Sequence, residues 1–93
     1  MDYAIGSTKW PGLSKLIEEA GEVTQVCGKI IALDGGIDHW DGTNLKDRIE
    51  EEIADVMAAC LFVQEMNNLD MEKIQERIEK KLALFHEWQK GQQ

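Results

Sequence analysis

Two short elements, Glu19-Ala-Gly-Glu22 and Glu52-Ile-Ala-Asp55, restrict this chain more than any other feature. Each sets two carboxylates three residues apart inside a stretch of helical apolar period. Residues at i and i+3 share a helix face, with Cβ atoms roughly 5–6 Å apart. Two such helices laid together bring four carboxylates to one place. A cluster of that kind repels itself unless a cation sits in it, so the chain is expected to hold a hard divalent metal.

The apolar positions Leu16, Ile17, Ala20, Val23, Cys27, Ile30 and Ile31 recur at helical spacing after Pro11-Gly12, and Asp34-Gly35-Gly36 stops them. A second helix carries Leu45, Ile49, Val56, Ala59, Cys60, Val63 and Met66, with Thr43 or Asn44 as its cap. Asn67-Asn68 breaks it. Asp70 can then cap a third helix with the stripe Met71, Ile74, Ile78, Leu82 and Phe85. No run alternates as a strand would, so the fold class is all-α. The expected helices span about 12–33, 44–66 and 70–89 of one domain over residues 1–93.

A shift of 33 residues lays Leu16 on Ile49, Glu18 on Glu51, Glu19 on Glu52, Glu22 on Asp55, Val23 on Val56 and Cys27 on Cys60. A solenoid needs at least about three repeats and only two are present. The echo therefore reads as two similar helices packed as a pseudo-symmetric pair.

Ninety-three residues bury little surface for their size. The three main helices are therefore expected to form a small bundle completed by homo-oligomerisation, as a four-helix-bundle-like dimer or dimer of dimers. The net charge of −8 disfavours nucleic acid and anionic membranes as partners. There is no basic leader with an apolar run and no stretch near the ~20 residues of a membrane span. A soluble cytoplasmic protein is the expectation. Cys27 and Cys60 lack CxxC spacing and read as buried reduced thiols.

The position of the acids on the helical wheel separates a site from a solvated face. At about 100° per residue, Glu52 lands in the middle of the second helix's apolar arc and Asp55 stays on its apolar side. Glu50 lies outside that arc and Glu51 towards its edge. In the first helix Glu19 borders the apolar arc beside Val26, Glu22 lies just beyond, and Glu18 points further away. An ionised carboxylate in a core costs several kcal/mol unless it is paired or metal-bound. Glu52 and Asp55 are on this reading the deeper ligands, and Glu19 and Glu22 the side where water and substrate meet the metal. All-carboxylate ligands suit Mg²⁺ or Mn²⁺. Neither His39 nor His86 completes a Glu-x-x-His motif, which sets a di-iron bundle aside. An EF-hand starting at Asp34 fails because His39 replaces its glycine.

On the third helix Arg77 and Lys81 stand one turn apart beside the apolar stripe, with Trp88 further along that flank. Cations there can neutralise phosphate if they lie close to the acids, or Lys81 can simply snorkel beside Ile74 and Phe85. Trp10, Trp40 and Trp88 could each stack a nucleobase, although ordinary packing is the usual role of a tryptophan.

With both elements on consecutive helices, the chain resembles the all-α nucleoside triphosphate pyrophosphohydrolases, the MazG-like proteins and their dimeric dUTPase relatives. Leu16-Ile-Glu-Glu-Ala-Gly-Glu-Val23 and Glu51-Glu-Ile-Ala-Asp-Val56 match the family's ExxE and ExxD elements, and the likeness covers roughly residues 13 to 85. It implies Mg²⁺-dependent hydrolysis of a nucleoside triphosphate to monophosphate and pyrophosphate. Carried over by position, Glu19, Glu22, Glu52 and Asp55 would hold metal, Glu19 could activate the attacking water, and Lys81 would meet substrate. Where many relatives have asparagine four residues after that lysine, this chain has Phe85. The resemblance also implies dimers or dimers of dimers. Two rivals remain from the residues alone: an acidic helical interaction module, and a relative that binds nucleotide without turnover.

Overall fold

The computed structural model describes Tyr3 and residues 5–92; Met1, Asp2, Ala4 and Gln93 of the expected 1–93 domain lie outside the described residues. Three helices follow one another: α1 (Leu13–Ala32), α2 (Leu45–Met66) and α3 (Met71–Gly91). No strand occurs among the described residues, only an isolated antiparallel bridge between Asp38 and Asn44. The chain is all-α.

Local chemistry explains the ends. Gly12 precedes α1 in the left-handed region at φ 93°, and a Cβ there would fall 2.7 Å from Cδ2 of Phe62. Only glycine tolerates both the backbone and the contact. With no side chain available as a cap, the carbonyls of Tyr3 and Trp10 accept the free N–H groups of Ser14 and Leu13 at 3.1 and 3.3 Å. At the other end Asp34 and Gly35 turn left-handed, and the Gly35 N–H donates to the Ile30 carbonyl. Asn44, not Thr43, caps α2 by accepting from the Asp47 N–H at 3.1 Å. Asp70 does the same for α3 with the Lys73 N–H at 3.0 Å.

The Asn67 side chain donates to the Val63 carbonyl at 2.8 Å and across to the Pro11 carbonyl at 3.1 Å. The C-terminus of α2 is thereby tied to the N-terminus of α1, and the two helices pack antiparallel. Val26, Leu45, Ala59 and Val63 form the small core between them.

α3 does not join that core. It shares hardly any packing with α1 and α2 and buries none of its residues. The radius of gyration is 16.2 Å, against about 12 Å for a compact domain of this length. The three main helices are those expected, and within one chain α1 and α2 form a hairpin while α3 stands off it. Ile78, Leu82, Phe85 and Trp88 remain exposed along one side of α3.

Two expectations change. Cys27 is exposed and Cys60 half-buried, and both are free. Cys27 shares an outward face with Thr24, Gly28 and Ile31, all exposed, because one neighbouring helix cannot cover an apolar arc this wide. Trp10, Trp40 and Trp88 are likewise exposed rather than packed in the core.

Candidate metal centre

The antiparallel hairpin lays the two acidic elements against each other. One carboxylate oxygen from each of Glu19, Glu22, Glu52 and Asp55 lies within 4.8 Å of the other three. Burial does not divide them by helix. Glu52 is 2% exposed and Glu19 8%, whereas Glu22 is half-buried and Asp55 exposed. The depth order read from the wheel is therefore corrected: the first acid of each element is deep, and the second forms the rim.

Each deep acid is held from one turn before it. Arg48 Nη2 lies 2.7 Å from Oε1 of Glu52, and its Nη1 lies 3.3 Å from Glu51. Lys15 Nζ lies 3.5 Å from Oε1 of Glu19 and 3.3 Å from Glu18. In both deep acids Oε2 is buried without a hydrogen-bond partner. A buried anionic oxygen with no donor is costly, and here two of them belong to the same cluster.

The electrostatics carry the same strain. The carboxyl of Glu22 is raised above its ordinary 4.5, first because its protonated form can hydrogen-bond Glu52, then through desolvation and the charges of Glu52 and Glu18. Crowding of the carboxylates thus makes Glu22 easier to protonate. A hard divalent ion would relieve that crowding, because all four groups offer oxygen.

Beside the acids a cavity of about 410 Å³ is lined by Ile5, Lys15, Glu19, Asp55, Ala58, Ala59 and Phe62. It combines an acidic rim with an apolar wall, the usual make-up of a small-molecule site.

The α3 residues are elsewhere. Arg77 and Lys81 line an apolar groove on α3 with Ile74, Ile78, Leu82 and Phe85. Lys81 is half-buried along it, the snorkelled arrangement. Trp88 packs against Phe85, ring centroids 5.5 Å apart. Within one chain these three residues do not adjoin the acids, because α3 does not fold back on the hairpin. Sequence reasoning passed over Lys15 and Arg48 instead. The signal was available: the 33-residue echo also lays Lys15 on Arg48, a cation four residues before each deep acid.

The loop between the helices is ordered by its own polar groups. The Thr43 N–H donates to Asp41 Oδ1 at 2.9 Å, and His39 Nδ1 lies 2.9 Å from the same oxygen. Its residues do not line the cavity beside the acids.

The family model of the MazG nucleotide pyrophosphohydrolase domain matches residues 12–88, most of the chain and both acidic elements. Neither a curated protein nor a solved structure matches it.

Proposed function

The chain belongs to the MazG nucleotide pyrophosphohydrolase family, and we propose that it hydrolyses a nucleoside triphosphate to the monophosphate and pyrophosphate with Mg²⁺, or Mn²⁺ in its place. The observation that carries this reading is the cluster itself: four converging carboxylates, two of them deep with an unpartnered inner oxygen. Glu19, Glu22, Glu52 and Asp55 would hold the ion. Bound there, the ion supplies Lewis-acid polarisation of phosphoryl oxygen.

The protein groups do the rest. Glu19 has its Oε1 near Lys15 and its Oε2 free, and it lines the cavity. It takes the proton of the attacking water while the water oxygen bonds to phosphorus and the phosphoanhydride bond to pyrophosphate breaks. Arg48 holds Oε1 of Glu52 and leaves its Oε2 without a hydrogen-bond partner. The apolar wall of Ala58, Ala59 and Phe62 suits the flat, uncharged part of a nucleoside. Removal of unwanted nucleotides from the cellular pool is the role such chemistry would serve.

A second copy of the chain is the proposed partner. The exposed stripe on α3 needs a cover, and α3 carries five cations against four acids while α2 carries six acids against two cations. In a dimer or tetramer, Arg77, Lys81 and Trp88 of one copy would be able to approach the acids of another. No helix among the described residues is long and apolar enough to cross a membrane, and the charge of −8 opposes nucleic acid.

The test is a pyrophosphate-release screen over normal and modified nucleoside triphosphates with Mg²⁺ and Mn²⁺. Metal-dependent release that is lost in Glu52→Gln and Asp55→Asn supports the reading. Turnover that survives both substitutions removes the site. An acidic interaction module, by contrast, would show no rise in melting temperature with either ion.

A further inference from the structure

We propose that Lys15 is the cation with which this chain grips the triphosphate of its substrate; this rests on the nucleotide reading above and names a residue for it. Among the described residues Lys15 is the one cation lining the cavity beside the acids, which it shares with Glu19, Asp55, Ala58, Ala59 and Phe62. The two basic residues of the site differ in how they are held. Arg48 is locked on Glu52 at 2.7 Å and on Glu51 at 3.3 Å, and it does not line the cavity. Lys15 makes two longer contacts, 3.5 Å to Glu19 and 3.3 Å to Glu18, with its side chain 43% exposed.

The Lys15–Glu18 pair is exposed on both sides and contributes little to stability, whereas Glu19 is buried, so Lys15 leaves it at small cost only when a divalent ion takes over its charge. Its ammonium is a compact charge with rotatable donors on a flexible stem, suited to following phosphate oxygens. Glu18 and Glu19 keep it protonated above its usual 10.5, Glu18 by the larger effect. Once Glu19 turns its charge to a divalent ion, Lys15 is left with Glu18 alone as an acidic partner and is available to an anionic ligand in the same cavity. Arg77 and Lys81 sit on the separate α3 groove and cannot take this part within one chain.

The experiment is calorimetric titration of the full chain, first with Mn²⁺ alone and then, saturated with Mg²⁺, with inorganic triphosphate. Parent, Lys15→Gln and Lys15→Arg are compared. Loss of one charge-assisted contact should weaken triphosphate binding about tenfold or more in the Gln variant. Its Mn²⁺ affinity should stay equal or rise, because a positive charge beside Glu19 is gone. The Arg variant should stay within a few-fold of the parent. Triphosphate binding by the Gln variant equal to that of the parent overturns the assignment to Lys15 and leaves the nucleotide reading standing. A parallel loss of Mn²⁺ and triphosphate also overturns it, because Lys15 would then only be shaping the acids. A parent that binds Mn²⁺ but no triphosphate defeats the nucleotide reading and this role together, and a parent that binds neither removes the metal centre as well.

Discussion

The α1–α2 hairpin and α3 are built from the same kind of sequence and have opposite fates. Both show an apolar stripe at helical period, a polar N-terminal cap on α2 and α3, and charges on the remaining faces. The hairpin closes on itself because Gly12 admits Phe62 and Asn67 reaches Pro11, and it buries Glu19 and Glu52 in doing so. α3 has no such ties and buries nothing. In the hairpin packing forces acids out of water, and on α3 the lack of packing leaves an apolar face uncovered.

The sharpest way to break this contrast is at the deep acid. Glu52→Gln should lower metal-dependent pyrophosphate release by more than roughly a hundredfold, with helix content by circular dichroism unchanged. Next is the closure of the hairpin. Gly12→Ala adds a Cβ at positive φ against Phe62, and should destabilise by about 2–4 kcal/mol in urea unfolding. An unchanged midpoint would show that the hairpin is not held at that contact.

Metal binding is expected to give a comparable effect on the intact chain. Free Mg²⁺ at a hundred times its Kd should stabilise by about 2.7 kcal/mol, a rise in Tm on the order of ten degrees for a domain of this size. Chelation should reverse it, and Glu52→Gln should show none. On α3, Leu82→Lys should change the Tm of a dilute sample by less than about 0.5 kcal/mol equivalent, because Leu82 is already half exposed. The same substitution should lower the mass seen in sedimentation at high concentration. A large loss of stability with no change of mass would mean that α3 is part of the fold rather than an interface.

The smallest effect is local and pH-dependent. Asp41 is held well below its ordinary 3.8, chiefly by its hydrogen bonds to Thr43 and then by His39. A carboxyl whose pKa is lowered in the folded chain contributes stability above its unfolded pKa and loses it as the pH falls below that value. Hydrogen exchange of the Thr43 amide, corrected for its intrinsic pH dependence, should therefore accelerate as the pH drops below about 4, while amides of α3 show no matching change.

Much of this was legible in the residues. The helices, their caps at Asn44 and Asp70 and the stop at Asp34-Gly35 follow from short-range chemistry, so they could be read directly. The acids could be picked out because polar groups inside an apolar arc demand a reason. Their depth could not. A wheel ranks positions within one helix, and it put Asp55 inside and Glu19 at the border, whereas Glu19 is buried and Asp55 exposed. Lys15 and Arg48 were present in the 33-residue echo but look like ordinary surface pairs until the partner acids are known to be buried. Within one chain the α3 cations lie apart from the acids, and a stripe tells which face seeks cover, not what covers it.

What the amino-acid sequence determined by itself is therefore three helices and four carboxylates at matched spacing, since helical period, capping and side-chain direction act over a few residues. Only the tertiary structure decided which carboxylate oxygens are stranded without a donor, which cation shares their cavity and which helix is left uncovered. Those outcomes depend on antiparallel contact between segments more than thirty residues apart in the chain, at Glu19 with Glu52 and Pro11 with Asn67, and burial is a property of that contact rather than of either segment.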